Sequence, residues 1–176
     1  MINSSLIKRN CIVLILFLIG GRATCEAQLN TKVYSVFIYS FAKSIKWPEP
    51  KGDGIFLIGV LDCPLLSLEL QKVALDKSVG IQKILIKEFD SVDKIEDCHI
   101  LFLPSERSQL LSSIISKLPS NAMLIISDGD GLAKKGSGLS FVKIDGKLRF
   151  EINSHAIEAR GIKVPGNIKS LGMVVE

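Results

Sequence analysis

IFLIGVLDCPLLSLELQKVAL, residues 55–75, holds the reading on which the fold turns. Ile55–Leu61 is a short, almost wholly apolar run of strand type, with Gly59 inside it. Pro64 follows after two residues, at a position where a helix start tolerates a missing N–H. Leu65–Leu75 then has helical spacing. A buried strand feeding directly into a helix is the first half of a parallel crossover unit.

The same pattern repeats downstream. Lys83–Phe89 alternates around Ile84 and Ile86 and reads as a second strand, and Ile100–Leu103 as a third, short and buried. Pro104-Ser105-Glu106 opens a helix with apolar positions at Leu110, Leu111, Ile114, Ile115 and Leu118, and Ala122–Ile126 is a fourth strand ending at Ser127-Asp128-Gly129. Asp130–Lys135 supports a helical turn at most. Leu139–Ile144 and Lys147–Ile152 flank Asp145-Gly146, a two-residue hairpin signal. Ser154–Arg160 reads as a short helix, capped by Asn153 or Ser154 and ended by Gly161, and the stretch to Leu171 has no clear period. Strand and helix alternating over short connections give an α/β class with one Rossmann-like three-layer domain. Its sheet is expected to be mostly parallel, with the C-terminal hairpin as an antiparallel edge.

Upstream, residues 31–46 form an amphipathic helix with Val33, Val36, Phe37, Ile38, Phe41 and Ile45 as its apolar positions, stopped by Pro48 and Pro50 before a Lys51–Gly54 turn. Trp47, the chain's one tryptophan, lies at its end. It is either a core aromatic closing the helix against the sheet or an anchor for a partner protein.

Residues 1–27 read as a secretory leader. Lys8 and Arg9 precede an apolar run from Cys11 to Ile19, and Cys25-Glu26-Ala27 offers a small residue at the cut. Nine apolar residues are too few for a spanning helix, which needs about 20. A lipid anchor on Cys25 is disfavoured because Arg22-Ala23-Thr24 precede it. Cleavage after Ala27 makes residues 28–176 the mature domain, starting at Gln28 and long enough for one proper core. The leader carries Lys8, Arg9, Arg22 and Glu26, so its loss lowers the formal charge from +4 to +2. The remaining lysines are scattered, which gives no basis for nucleic-acid binding. ATP and nicotinamide cofactors are scarce outside the cytoplasm, and no cofactor is expected.

Two cysteines stay in the mature chain, Cys63 and Cys98. An even pair in an oxidising compartment suggests one disulfide. Their places argue otherwise, since Cys63 follows the first strand and Cys98 precedes the third. In a purely parallel sheet these are opposite ends, on the order of 17 Å apart, whereas a disulfide needs its Cα atoms within about 7 Å.

Chemical motifs fail one by one. Gly129-Asp-Gly131 starts a dinucleotide fingerprint, but Lys134 stands where the third glycine belongs. Gly131 and Gly136 have phosphate-loop spacing, and Ser137-Gly138 follows in place of lysine and hydroxyl. Asp128 and Asp130 begin a calcium loop that breaks at Leu132. No Gly-x-Ser-x-Gly elbow exists. His99, His155 and the two cysteines lack metal-ligand spacing. Glu106 and Glu151 have no reason to pair. The chain reads as a non-enzyme. Ser127 and Asp128 do stand at the carboxyl end of a strand, where open sheets place ligands. Arg149, Glu151 and Asn153 form a polar face alternating with Phe150 and Ile152, and are nominated as the contact surface for a partner or ligand.

Several stretches resemble one family in order. Tyr39-Ser-Phe-Ala-Lys-Ser-Ile-Lys-Trp-Pro48 resembles the helix-ending Tyr-x-Phe-Ala-Lys-x-x-x-Trp-Pro signature of the YfiR-like periplasmic proteins. Ile58-Gly-Val-Leu61 resembles the family's first strand, Cys98-His-Ile-Leu-Phe-Leu103 its Cys-His-x-Leu-Phe strand, and Leu124-Ile-Ile-Ser-Asp128 and Gly136-Ser-Gly138 follow. Arg149-Phe-Glu-Ile-Asn153 is similar to its Arg-Phe-Glu-Ile-Asn, with Ala156 and Gly161-Ile162 in step. The resemblance runs from Thr31 to Leu171. Two positions depart from it. Leu61-Asp62-Cys63-Pro64 replaces a common Gly-Asp-Asp-Pro, and Ser137 interrupts a glycine pair.

The resemblance implies a Rossmann-like domain in the periplasm, a homodimer in many members, and disulfides in some. It implies a partner as well, since the best understood members bind the outer face of an inner-membrane diguanylate cyclase and hold it inactive, restraining cyclic-di-GMP signalling and biofilm formation. The expectation is therefore an exported regulator of a membrane signalling protein, a diguanylate cyclase or a histidine kinase. The rival is a periplasmic binding module for a cell-envelope small molecule or peptidoglycan fragment.

Overall fold

The computed structural model describes residues 30–48, 54–117 and 122–176. The leader, the Gln28 terminus, Pro50, most of the Lys51–Gly54 turn and Leu118 lie outside the described residues. The elements are α1 (30–44), β1 (Ile55–Leu61), α2 (Pro64–Ala74), β2 (Ser78–Val79), β3 (Gln82–Phe89) and β4 (Ile100–Leu103), then α3 (Leu111–Lys117), β5 (Leu124–Asp128), β6 (Leu139–Ile144), β7 (Lys147–Asn153), α4 (Ser154–Glu158), α5 (Gly166–Lys169) and β8 (Met173–Val175). Tight 3-10 turns occupy Val92–Lys94 and Ser105–Leu110.

Among the described residues one sheet carries eight strands in the order β2-β3-β1-β4-β5-β6-β7-β8. From β3 to β6 neighbours are parallel, β6–β7 is an antiparallel hairpin, and β7–β8 is parallel again. The hairpin is therefore not an edge: β8 pairs along β7, Glu151 opposite Met173 and Asn153 opposite Val175. Strand β8 lies past Leu171, where the sequence reading ends, and its three residues are too few to show a period.

Alternation splits the central strands between two cores. Phe56, Ile58, Ile100, Phe102, Leu124 and Ile126 pack on one face with α1, α2, α4 and α5. Leu61, Leu101, Leu103 and Ile125 pack on the other with α3 and Leu132 of the 129–136 turn. Parallel strands buried on both faces need apolar residues on both sides, as β1 and β4 have throughout, while β5 is apolar from Leu124 to Ile126 and ends in Ser127 and Asp128.

Helix α1 differs from its reading in rotation. Its buried stripe is Thr31, Tyr34, Ser35, Ile38, Phe41, Ala42 and Ile45, while Val36 is 58% exposed. The stripe keeps helical spacing but turns Tyr34 inward, where its ring stacks on Phe141 at 4.3 Å. Ser35 loses nothing by burial because its hydroxyl donates to the Lys32 carbonyl at 2.8 Å. Beyond α1 the chain is pinned by an antiparallel bridge between Lys46 and Lys163.

Candidate functional site

Strand β1 is where the winding of the sheet reverses. The chain leaves it through α2 to β3 on one side, then returns past it to β4 on the other. At such a switch point the loops beyond the carboxyl ends of the strands diverge and leave a crevice. The crevice is present here, about 670 Å³, between the first turns of α1 (Asn30, Thr31, Tyr34), the β1–α2 turn (Asp62, Cys63, Pro64, Leu65), the end of β4 with its following turn (Phe102, Pro104, Ser105, Glu106, Arg107), and Asp128 at the end of β5. A volume within about 300–1,000 Å³, mostly apolar walls and a few convergent polar groups are the usual properties of a small-molecule site.

Two interactions shape it. Asp62 adopts a left-handed backbone, φ 47°, in the tight turn from β1 into α2, a conformation that aspartate tolerates better than most residues. Its carboxylate accepts from Arg107 Nε at 2.8 Å and also pairs with the Nη2 of that guanidinium. Tyr34, 5% exposed, donates its hydroxyl to Asp128 Oδ1 at 2.9 Å, tying α1 to β5.

The electrostatics follow from burial. Burial pushes the Asp128 carboxyl above its ordinary 3.8, the Tyr34 hydrogen bond opposes this, and the charge of Glu106 adds to it. Burial, then the Asp128 charge, pushes the Tyr34 phenol up. The Cys63 thiol is raised too, mainly by burial, which keeps it a thiol and not a reactive thiolate. No histidine lies among the described residues lining the crevice. The arrangement can bind and orient a polar ligand, and its described residues place no activated nucleophile beside a base.

The residues nominated from sequence are scattered by the structure. Asp128 lies in the crevice, but Ser127, one residue earlier, points to the opposite face and is fully buried. There it joins Ser137 and Ser140 in a hydroxyl cluster, each contact 2.9 Å from Ser127 Oγ. Ser140 donates onward to the Gly129 carbonyl at 2.6 Å, so the cluster clamps the glycine turn onto β5 and β6. Asn153 is also a clamp. Its amide donates to the Ala133 carbonyl at 2.8 Å, and its oxygen caps α4 by accepting from Ala156 N at 2.8 Å.

Arg149 is exposed and borders a small apolar hollow between Phe37, Phe141 and Leu148. Glu151 is half-buried, and its Oε2 is buried without a hydrogen-bond partner among the described residues. Trp47 packs edge-on against Phe56 at 5.0 Å and donates its indole N–H to the Ala42 carbonyl at 2.8 Å. It sits at the far end of α1 from Tyr34, about 20 Å away at the helical rise of 1.5 Å per residue. Asp62, Glu106, Arg107 and Tyr34 were not nominated. For Asp62 a signal existed: an aspartate between a buried strand and a proline-started helix.

No disulfide joins Cys63 to Cys98. They stand at opposite ends of the adjacent parallel strands β1 and β4, and Cys98 Sγ lies 3.5 Å from Met123 Sδ. Among the described residues no helix is long and apolar enough to cross a membrane.

A family model described as YfiR/HmsC-like matches residues 31–172. Among solved structures, a conserved domain protein from Vibrio cholerae O1 biovar El Tor strain N16961 is similar in fold, with a TM-score of 0.50 and 12% identity over 83% of this chain. The chain spans only 60% of that protein's length, and at such identity the likeness is one of fold alone. No curated protein matches the chain.

Proposed function

The chain belongs to the YfiR/HmsC-like family, and from that membership we propose that it is an exported periplasmic regulator that binds and restrains an inner-membrane signalling protein, a diguanylate cyclase or a sensor kinase. Family membership carries this reading, because YfiR-like proteins are periplasmic regulators and not enzymes. The partner surface we assign to Arg149 and Glu151 on the outer face of β7, with Asn153 and Ser127 holding the strands that present them. Arg149 is exposed and Glu151 half-buried on that face, so it offers a partner one basic and one acidic side chain.

Deleting the gene tests the cyclase arm directly. Cellular cyclic-di-GMP should rise several-fold, return with the parent gene, and fail to return with Glu151→Ala, although that variant should fold without loss of stability. An unchanged nucleotide level in the deletion strain would sink the cyclase reading; full restoration by Glu151→Ala would move the surface elsewhere. The second reading, a binding module for a cell-envelope small molecule or peptidoglycan fragment, is favoured by the crevice at the switch point. The two are compatible, since a ligand that prefers one state of a regulator shifts its population.

A further inference from the structure

We propose that the crevice at the β1–β4 switch point binds a small organic cation through a primary ammonium group, its charge held between Asp128 and Glu106 and its carbon skeleton against Leu65, Phe102 and Pro104. The inference rests on the second reading above and names the ligand's chemistry.

Charge balance is the first argument. The described lining carries three carboxylates, Asp62, Glu106 and Asp128, and one base, Arg107. That base is committed to Asp62 through Nε at 2.8 Å, so no other described lining residue supplies a cation to Asp128 or to Glu106, whose Oε2 accepts from the Ser105 hydroxyl at 3.1 Å. Lys143, on β6, attracts Asp128 only from outside the lining. A carboxylate that loses water to burial favours an incoming positive charge over a neutral or negative one.

Geometry is the second. Tyr34 holds one Asp128 oxygen at 2.9 Å, and its own ring is fixed by the Phe141 stack. The other Asp128 oxygen accepts no hydrogen bond from a described residue. One side of the acceptor is therefore set and the other is open, which is the preorganisation that lowers the cost of binding. A bare metal ion fits poorly: among the described residues no three His, Cys, Asp or Glu side chains converge to hold one. The volume of about 670 Å³ and the apolar walls suit a cation with a carbon skeleton.

Titration calorimetry of the purified protein at neutral pH and physiological salt tests this with 1,4-diaminobutane, 4-aminobutanoate, 1,4-butanediol and succinate. The diamine should bind saturably and at least tenfold more tightly than any of the other three. Asp128→Asn and the exposed Glu106→Gln, each shown folded by circular dichroism, should each weaken it at least tenfold. No heat from the diamine, or undiminished binding in both variants, overturns the proposal. If the diol or succinate binds instead, the crevice remains a ligand site and only the ammonium class falls. A parallel titration with Nα-acetyl-lysine amide separates the sources: tighter binding than the diamine places the amine on a peptide, weaker binding on a free amine.

Discussion

His99 shows how a single side chain can stand in for backbone. Its Nδ1 accepts from the Leu57 N–H at 3.1 Å while its own N–H donates to the Leu57 carbonyl at 2.8 Å. The imidazole thus completes the β1–β4 pairing where β4 has not yet begun, with the ring stacked on Phe56 at 4.3 Å and Trp47 edge-on at 6.1 Å. That His99 is an acceptor for a strand amide is not legible in the sequence, because it depends on register. His99→Phe keeps the stack and strands the Leu57 N–H. Urea unfolding should show a loss of about 1–3 kcal/mol, the cost of an unsatisfied buried donor; equal stability would mean that the ring nitrogen is dispensable. Trp47 joins this same aromatic group, so of its two sequence readings the helix-closing role has the contacts. Tyr34 escaped notice for a related reason: Val33 and Val36 drew the apolar stripe toward themselves, although Tyr34 lies seven residues before Phe41 on the true one.

Among the elements, those with strong local signals were read almost to the residue. Ile55–Leu61, Ile100–Leu103 and Leu139–Ile144 have the bounds expected. The hairpin turns on Asp145 and Gly146 at φ 50° and 72°, the positive angles that a two-residue turn demands. Strand β5 begins two residues later than read, at Leu124, since Ala122 and Met123 are apolar without pairing. Gly59 also acquires a meaning invisible in sequence. A Cβ there would lie 2.6 Å from the Phe89 ring and 3.2 Å from Cys98 Sγ and Leu101. The site faces the second core, where Phe89 and Cys98 fill the space a side chain would take. Gly59→Ala should lower stability by about 1–3 kcal/mol through overpacking, seen as a lower urea midpoint with an unchanged slope. A midpoint equal to the parent's would show that Phe89 can swing aside without loss.

For the whole molecule, the crevice has a measurable cost. Asp128 faces Tyr34 from α1, Glu106 from the turn after β4, Asp130 from the glycine turn and Lys143 from β6. Its carboxyl is raised by folding, so its contribution to stability is fully present below 3.8, the unfolded value, and is lost as pH rises through the folded value. Asp128→Asn removes the ionisation while leaving an oxygen for the Tyr34 hydroxyl. The variant should be more stable than the parent at pH 7, with the advantage shrinking toward pH 4 in denaturant titrations. A parent as stable as the variant at both pH values would show that the Tyr34 bond fully offsets burial. A group kept at the expense of stability is what a binding site looks like. The fold class was readable from alternation and connection length, but the crevice was not, because it is built from four segments that only the strand order brings together.

The flanks of the sheet carry a consequence of their own. Two residues of β2 run along β3 on one flank and three of β8 along β7 on the other. Long bare strands invite neighbouring chains to template onto them, and short border strips leave little backbone for such lateral growth. Among the described residues the sheet therefore ends on both sides in a selvage, a finished margin that disfavours the recruitment of a further strand. Cutting away Met173–Val175 would unravel that margin at β7.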